Sequence, residues 1–241
     1  MALYAIGDTL LSLGADKPMD VFGGGWSGYV DKLRAGFAEI GPEDTVVLCG
    51  DLSWGMSLEQ ACMMSDMVPT GVMGAELADI RFGDSVLAIG IGPVGLMAVA
   101  AANLRGAGRI IAVGNRQVCR DLARTYGATD IISYKNGPID EQVLAMTQGK
   151  GVDRVIISGG NTDTFAEAIK VLKPGGVLSN VNYLGSGDTI GIPRVEWGVG
   201  MGHKRIEGGL MLGGRLRMEK LASLVSHGKL DPDRKSTRLN S

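Results

Sequence analysis

The stretch Ser85–Leu104, SVLAIGIGPVGLMAVAAANL, decides the fold of most of this chain. Residues 85–102 carry no charge, a length at which a membrane span has to be weighed. The interior argues against a span: Gly90, Gly92, Pro93 and Gly95 stand mid-stretch, after an apolar run rich in β-branched residues and before an alanine-rich one. That order reads as a strand over 85–90, a tight turn, and a helix opening at Pro93, a residue suited to the first helical turn. Gly106 and Gly108 end the helix after about Arg105.

The same alternation continues outward. Strands are predicted over 109–113, 130–134, 152–158 and 176–182, with 206–210 as a candidate sixth. Helices are predicted over 117–126, closed by Gly127, and over 139–147 and 163–172, with a turn at Lys173, Pro174 and Gly175. Strands alternating with amphipathic helices form parallel βαβ units, and right-handed crossovers wind these into an α/β, doubly wound Rossmann sheet with helices on both faces.

Gly90, Ile91, Gly92, Pro93, Val94 and Gly95 form a G-x-G-x-x-G between strand and helix. In that setting Gly90 permits the tight turn, Gly92 lets the backbone approach a pyrophosphate, Gly95 allows close helix packing, and the helix start offers free N–H groups to phosphates. A glycine-rich turn that merely links the two elements is the alternative. At the end of the second strand, where an NAD enzyme wants an acid for the ribose hydroxyls, the residues are Gly114, Asn115 and Arg116. A small residue makes room, and a guanidinium forms charge-assisted bonds to a 2′-phosphate, so the cofactor expected is NADP. Arg116 can also be read as an ordinary exposed helix-start residue, and Asp121, inside the next helix, as part of a solvated face.

Composition narrows the partners. Lys and Arg number 24 against 26 Asp and Glu, a net charge of −2 that leaves no electrostatic footprint for nucleic acid or an anionic membrane. With 45% hydrophobic and 21% charged residues the chain is neither disordered nor collagen-like, so its 38 glycines serve turns and close backbone approaches. The three cysteines, Cys49, Cys62 and Cys119, form no C-x-x-C pair, which argues against a disulfide framework or a cysteine-rich zinc module and for a reducing compartment. The opening Met1–Leu13 lacks a basic start and a small-residue cleavage site, so a cytoplasmic location is expected.

Seven segments carry a family resemblance: GVMGAELADI (71–80), IGIGPVGLM (89–97), LRGAGRIIAV (104–113), YGATD (126–130), NVNY (180–183), PRVEWG (193–198) and GGLMLGGRLRM (208–218). Residues 62–232 resemble the cofactor domain of microbial NADP-dependent, zinc-containing secondary alcohol dehydrogenases of the medium-chain superfamily. The resemblance implies hydride transfer between a secondary alcohol or ketone and NADP(H), with zinc as the Lewis acid in the parent family, and a homotetramer. It further implies that Gly114, Asn115, Arg116 and Tyr134 surround the 2′-phosphate, that Asn182 and Tyr183 lie near the nicotinamide, and that Asp66 matches a catalytic zinc ligand. A catalytic zinc needs three protein ligands and an open position. The Cys and His partners belong to a catalytic domain without a counterpart here, no histidine precedes Asp66, and Met73 stands where related sequences carry a histidine. The metal site is therefore read as incomplete and this chain alone as inactive. The two histidines, His203 and His227, read as structural or solvent-facing.

Residues 1–61 differ in character. Leu3–Ile6 leads to Gly7 and Asp8, and Val46–Cys49 leads to Gly50 and Asp51, so parallel strands would bring two carboxylates to one edge, where α/β metal sites sit. Strand-end turn chemistry is the simpler alternative. Val30, Leu33, Phe37 and Ile40 recur at helical spacing, Gly41 and Pro42 stop that helix, and Trp26 and Trp54 read as packing residues. With GDLSWGMSLEQ (50–60), the segment resembles the start of calcineurin-like metallophosphoesterases, in which Asp8 and Asp51 would be metal ligands. Leu10 replaces the histidine of D-x-H, so phosphatase activity is expected to be lost. The two resemblances meet near Ala61 and Cys62 without a Gly, Ser or Pro linker, which reads as a chimera of two gene fragments. The tail DRKSTRLNS (233–241) resembles translated sequencing adapter; a disordered basic tail is the alternative.

Overall fold

In the computed structural model the described residues are 2–6, 27–48, 58–185 and 188–232. They divide into two units, one within residues 1–64 and 214–233 and one within residues 65–213. In the first unit, β1 (Leu3–Ile6) is followed by α1 (Tyr29–Ala38), β2 (Thr45–Leu48) and α2 (Leu58–Met64). β1 and β2 pair in parallel, Leu3 opposite Thr45 through Ile6 opposite Leu48. Asp44 ties the turn before β2: its Oδ1 accepts the Ala2 N–H at 2.6 Å and its Oδ2 the Gly41 N–H at 2.9 Å. Asp8, Asp51, Trp26 and Trp54 lie outside the described residues.

The second unit holds α3 (Met67–Leu77), β3 (Ser85–Ile89), α4 (Pro93–Leu104), β4 (Arg109–Val113), α5 (Gln117–Thr125), β5 (Asp130–Ile132), α6 (Ile139–Met146), β6 (Val152–Ile157), α7 (Thr162–Val171), β7 (Leu172–Asn180) and β8 (Arg205–Gly208). α8 (Arg215–Ser226) belongs with the first unit, where it packs on α2. The six strands β3 to β8 form one parallel sheet in the order β5-β4-β3-β6-β7-β8. Chain order reverses between β3 and β6, and in such sheets ligands bind at the carboxyl ends beside this switch point.

The uncharged run 85–102 is a buried strand, turn and helix, and among the described residues no helix is long and apolar enough to cross a membrane. α4 is apolar on every side because it is covered on every side: residues 95–102 are all buried. α3 lies against it so closely that a Cβ on Gly71 would stand 2.6 Å from both Met97 Cβ and the Val94 carbonyl oxygen. On the sheet, Leu87, Ile111, Val155, Ile157 and Leu178 are fully or almost fully buried and pack with Phe165, Ile169 and Val143 of the flanking helices. That burial is the main source of stability, at about 25 cal/mol per Å² of apolar surface removed from water.

Two elements differ from the sequence expectation. The strand predicted to begin at 176 begins at Leu172, because a bulge absorbs the Lys173–Gly175 turn: Leu172 pairs with Val152, but Val177 pairs with Arg154. The strand predicted over 130–134 stops at Ile132. Ser133, 4% exposed, caps a short 3-10 turn at Tyr134–Asn136 by accepting the Lys135 N–H at 3.2 Å.

Candidate functional site

Gly90 leaves β3 with φ of +90°, and a Cβ there would lie 2.6 Å from Gly159 Cα. Only glycine suits both the conformation and the approach of the two loops that flank the switch point. Ser158 straps them together, its hydroxyl donating to the Ile89 carbonyl at 3.1 Å and to the Gly90 carbonyl at 2.8 Å. Gly92 differs: it caps α4, and a Cβ there would meet nothing within 4 Å. The backbone is therefore open to a ligand beside the first turn of α4, where the Val94 and Gly95 N–H groups precede the first intrahelical bond, which runs from the Leu96 N–H to the Gly92 carbonyl at 2.9 Å. Gly95 is forced by packing, since its Cβ would lie 1.7 Å from the Gly90 carbonyl oxygen.

A cavity of about 590 Å³ opens at this point, large enough for much of a nucleotide. Of the residues singled out in the sequence, Gly90, Ile91, Gly92, Gly114, Asn115, Arg116 and Tyr134 line it. Pro93, Val94 and Gly95 shape the turn without lining the cavity, and Asn182 and Tyr183 stand off its wall. Asn182 Nδ2 reaches the Gly160 carbonyl at 3.2 Å, while Tyr183 is 86% exposed. The rest of the wall includes residues the sequence had not marked as site residues, among them Cys119, Pro138, Ile139, Gly159, Asn161, Thr164 and Glu167. Asn161 carried a legible signal, since it caps α7 in a capping box with Thr164.

The polar groups of this wall are held from behind. Ser133 Oγ lies 3.0 Å from Asn115 Oδ1 and donates to it, which turns the amide nitrogen of Asn115 away from Ser133. Gln142 Nε2 gathers the Ser133 and Gly137 carbonyls at 3.0 and 2.8 Å and so fixes the turn that carries Tyr134. Arg116 is exposed and makes no side-chain hydrogen bond or ion pair among the described residues. Asp121 spends its carboxylate on its own helix, accepting from Gln117 Nε2 at 2.8 Å and Arg124 Nη1 at 3.1 Å. Glu167 is the acidic residue of the wall, and burial, reinforced by the nearby Asp140 and Asp163, pushes its carboxyl above the usual range. The cavity thus offers open backbone N–H groups, an unpaired guanidinium and apolar flanks, a donor set that fits a phosphorylated dinucleotide.

The described residues do not fit a catalytic zinc. Asp66 heads α3 and accepts the Thr70 hydroxyl at 2.8 Å, and among the described residues no three of His, Cys, Asp and Glu stand together around a metal position.

Comparison with known proteins accords with this geometry. The chain is 68% identical over 173 residues to the NADP-dependent isopropanol dehydrogenase of Entamoeba histolytica, covering 72% of this chain and 47% of that one. It is 59% identical over 182 residues to the enzyme of the same name from Thermoanaerobacter brockii, covering 76% and 52%. The chain spans about half the length of the curated relatives it matches. Among solved structures, the alcohol dehydrogenase TADH from Thermus sp. ATN1 superposes with a TM-score of 0.65 at 28% identity, over 75% of this chain and 52% of that one. Residues 93–227 match the zinc-binding dehydrogenase family, and with α4, most of the residues lining the switch-point cavity and most of the parallel sheet inside that match, the chain belongs to the zinc-binding dehydrogenases.

Proposed function

We propose that this chain supplies the NADP(H)-binding domain of an alcohol dehydrogenase that moves hydride between a secondary alcohol or ketone and the nicotinamide, in a full-length enzyme that assembles as a homotetramer. The observation that carries the reading is the pairing, in one cavity, of an open backbone at Gly92 with an unpaired guanidinium at Arg116. In this reading the diphosphate lies against the α4 start, and Arg116, Asn115 and Tyr134 take the 2′-phosphate above Gly114. Gly90 and Gly95 hold the turn. Asn182 and Tyr183 flank the nicotinamide, close to Asn180, whose buried Oδ1 has no hydrogen-bond partner and suits a carboxamide NH₂. The cofactor supplies the hydride, and these residues bind and orient it. The names of the two isopropanol dehydrogenases favour a small secondary alcohol.

Fluorescence titration of the chain with NADPH and NADH tests the reading. NADPH binds in the micromolar range, and Arg116→Ala weakens it by roughly ten- to a hundredfold, the worth of a charge-assisted contact, while NADH is little affected. Equal losses for the two cofactors, or no NADPH binding at all, would overturn it.

A further inference from the structure

Glu167 is the one carboxylate on the cavity wall among the described residues, and a pyrophosphate site has no use for it. Its placement is specific. Oε1 accepts the Ile139 N–H, the first of α6, at 3.1 Å, which seats the side chain beside Pro138 and Ile139 on the apolar flank of the cavity. Among the described residues Oε2 has no hydrogen-bond partner. The neighbouring cation, Lys170, is already committed, its Nζ lying 2.8 Å from Asp140 Oδ2. The other polar groups of α7 that reach the cavity are spent: Thr164 Oγ1 donates to Asn161 Oδ1 and accepts the Asn161 N–H, both at 3.2 Å. A half-buried carboxylate with one free oxygen, its neighbouring lysine engaged elsewhere and Arg116 taken by the phosphate in the reading above, calls for a neutral N–H donor on the ligand.

This inference rests on the reading proposed above. With the 2′-phosphate at Arg116, the base on the same ribose must lie within one sugar's width, and Ile139 and Pro138, which line the same cavity, offer it an apolar surface. We propose that Glu167 is a specificity-determining residue for the purine: its Oε2 accepts a hydrogen bond from the exocyclic amino group, so the site selects a 6-amino over a 6-oxo purine.

The test compares NADPH with reduced nicotinamide hypoxanthine dinucleotide phosphate, which differs by a carbonyl in place of that amino group, by fluorescence titration of the full chain. The wild-type chain binds NADPH on the order of tenfold more tightly, because the 6-oxo group sets an acceptor against a carboxylate. In Glu167→Gln the oxygen stays on the Ile139 N–H and the amide NH₂ faces the cavity, so the preference falls to parity or reverses. Equal wild-type affinities for the two dinucleotides overturn the proposal without need of any variant, as does a Glu167→Gln chain that keeps the wild-type ratio. Failure of the wild-type chain to bind NADPH overturns the cofactor reading, and this inference with it, and is distinct from tight binding without discrimination.

Discussion

Gly95 and Gly90 stand so close that a Cβ on the first would come within 1.7 Å of the carbonyl oxygen of the second, whereas a Cβ on Gly92, midway between them, would touch nothing within 4 Å. The three glycines of one motif therefore answer to different physics: Gly90 to backbone conformation and contact, Gly95 to packing, Gly92 to space left for a ligand.

Substitution separates these roles. Gly95→Ala must displace backbone and should cost about 3 kcal/mol or more of stability, seen as a lower urea midpoint. Gly92→Ala should leave stability within about 0.5 kcal/mol of wild type, its φ of −74° being open to any residue, while weakening NADPH about tenfold. An unchanged NADPH affinity in Gly92→Ala would show that no ligand uses that space.

At the amino ends of β3 and β6, Arg154 Nε binds Asp84 Oδ2 at 2.7 Å with both side chains largely buried. Arg154→Ala leaves the acid unpaired and should cost about 3–5 kcal/mol. Combining Arg154→Met with Asp84→Asn should cost clearly less than the sum of the two single changes, with a coupling on the order of 1 kcal/mol or more in a double-mutant cycle. Strict additivity would show that the pair is not coupled.

Arg109 clamps Asp130 through Nε at 2.8 Å and Nη2 at 3.1 Å, and the same guanidinium reaches the Met146 carbonyl at 3.2 Å. The hydrogen bond from Arg109 holds the Asp130 carboxyl below its ordinary value of 3.8, against the opposing effect of burial. A carboxyl whose pKa is depressed by folding stabilises the fold above its unfolded pKa and loses that contribution as pH falls through the folded one. Chemical denaturation between pH 7 and pH 3 should show stability falling at the acid end. Asp130→Asn should be less stable at neutral pH, by about 1 kcal/mol, and flatter in acid. A variant with the wild-type acid slope would remove Asp130 from the account.

The sequence by itself determined the elements from β3 to β7 and their kind, since apolar periodicity, Pro93 at a helix start and glycines at its end act within a few residues, whereas α2, α3 and α8 had no such signal. It also marked Gly90–Gly95 and Gly114–Arg116, because a strand-turn-helix delivers its own loop to the sheet edge wherever the sheet closes. What it left unmarked came from distant segments. Ser158 straps Gly90 across 68 positions of sequence, Glu167 meets Ile139 across 28, and Ser133 orients Asn115 across 18. None of these pairs has a local signature. The first arises because β6 inserts beside β3, the second because α7 packs on α6 and the third because β5 pairs with β4, and the bulge at Lys173–Gly175 likewise depends on how β7 registers on β6. Strand order is settled by which apolar faces bury one another, and that decided which residues share the cavity and what chemistry its far wall offers a ligand.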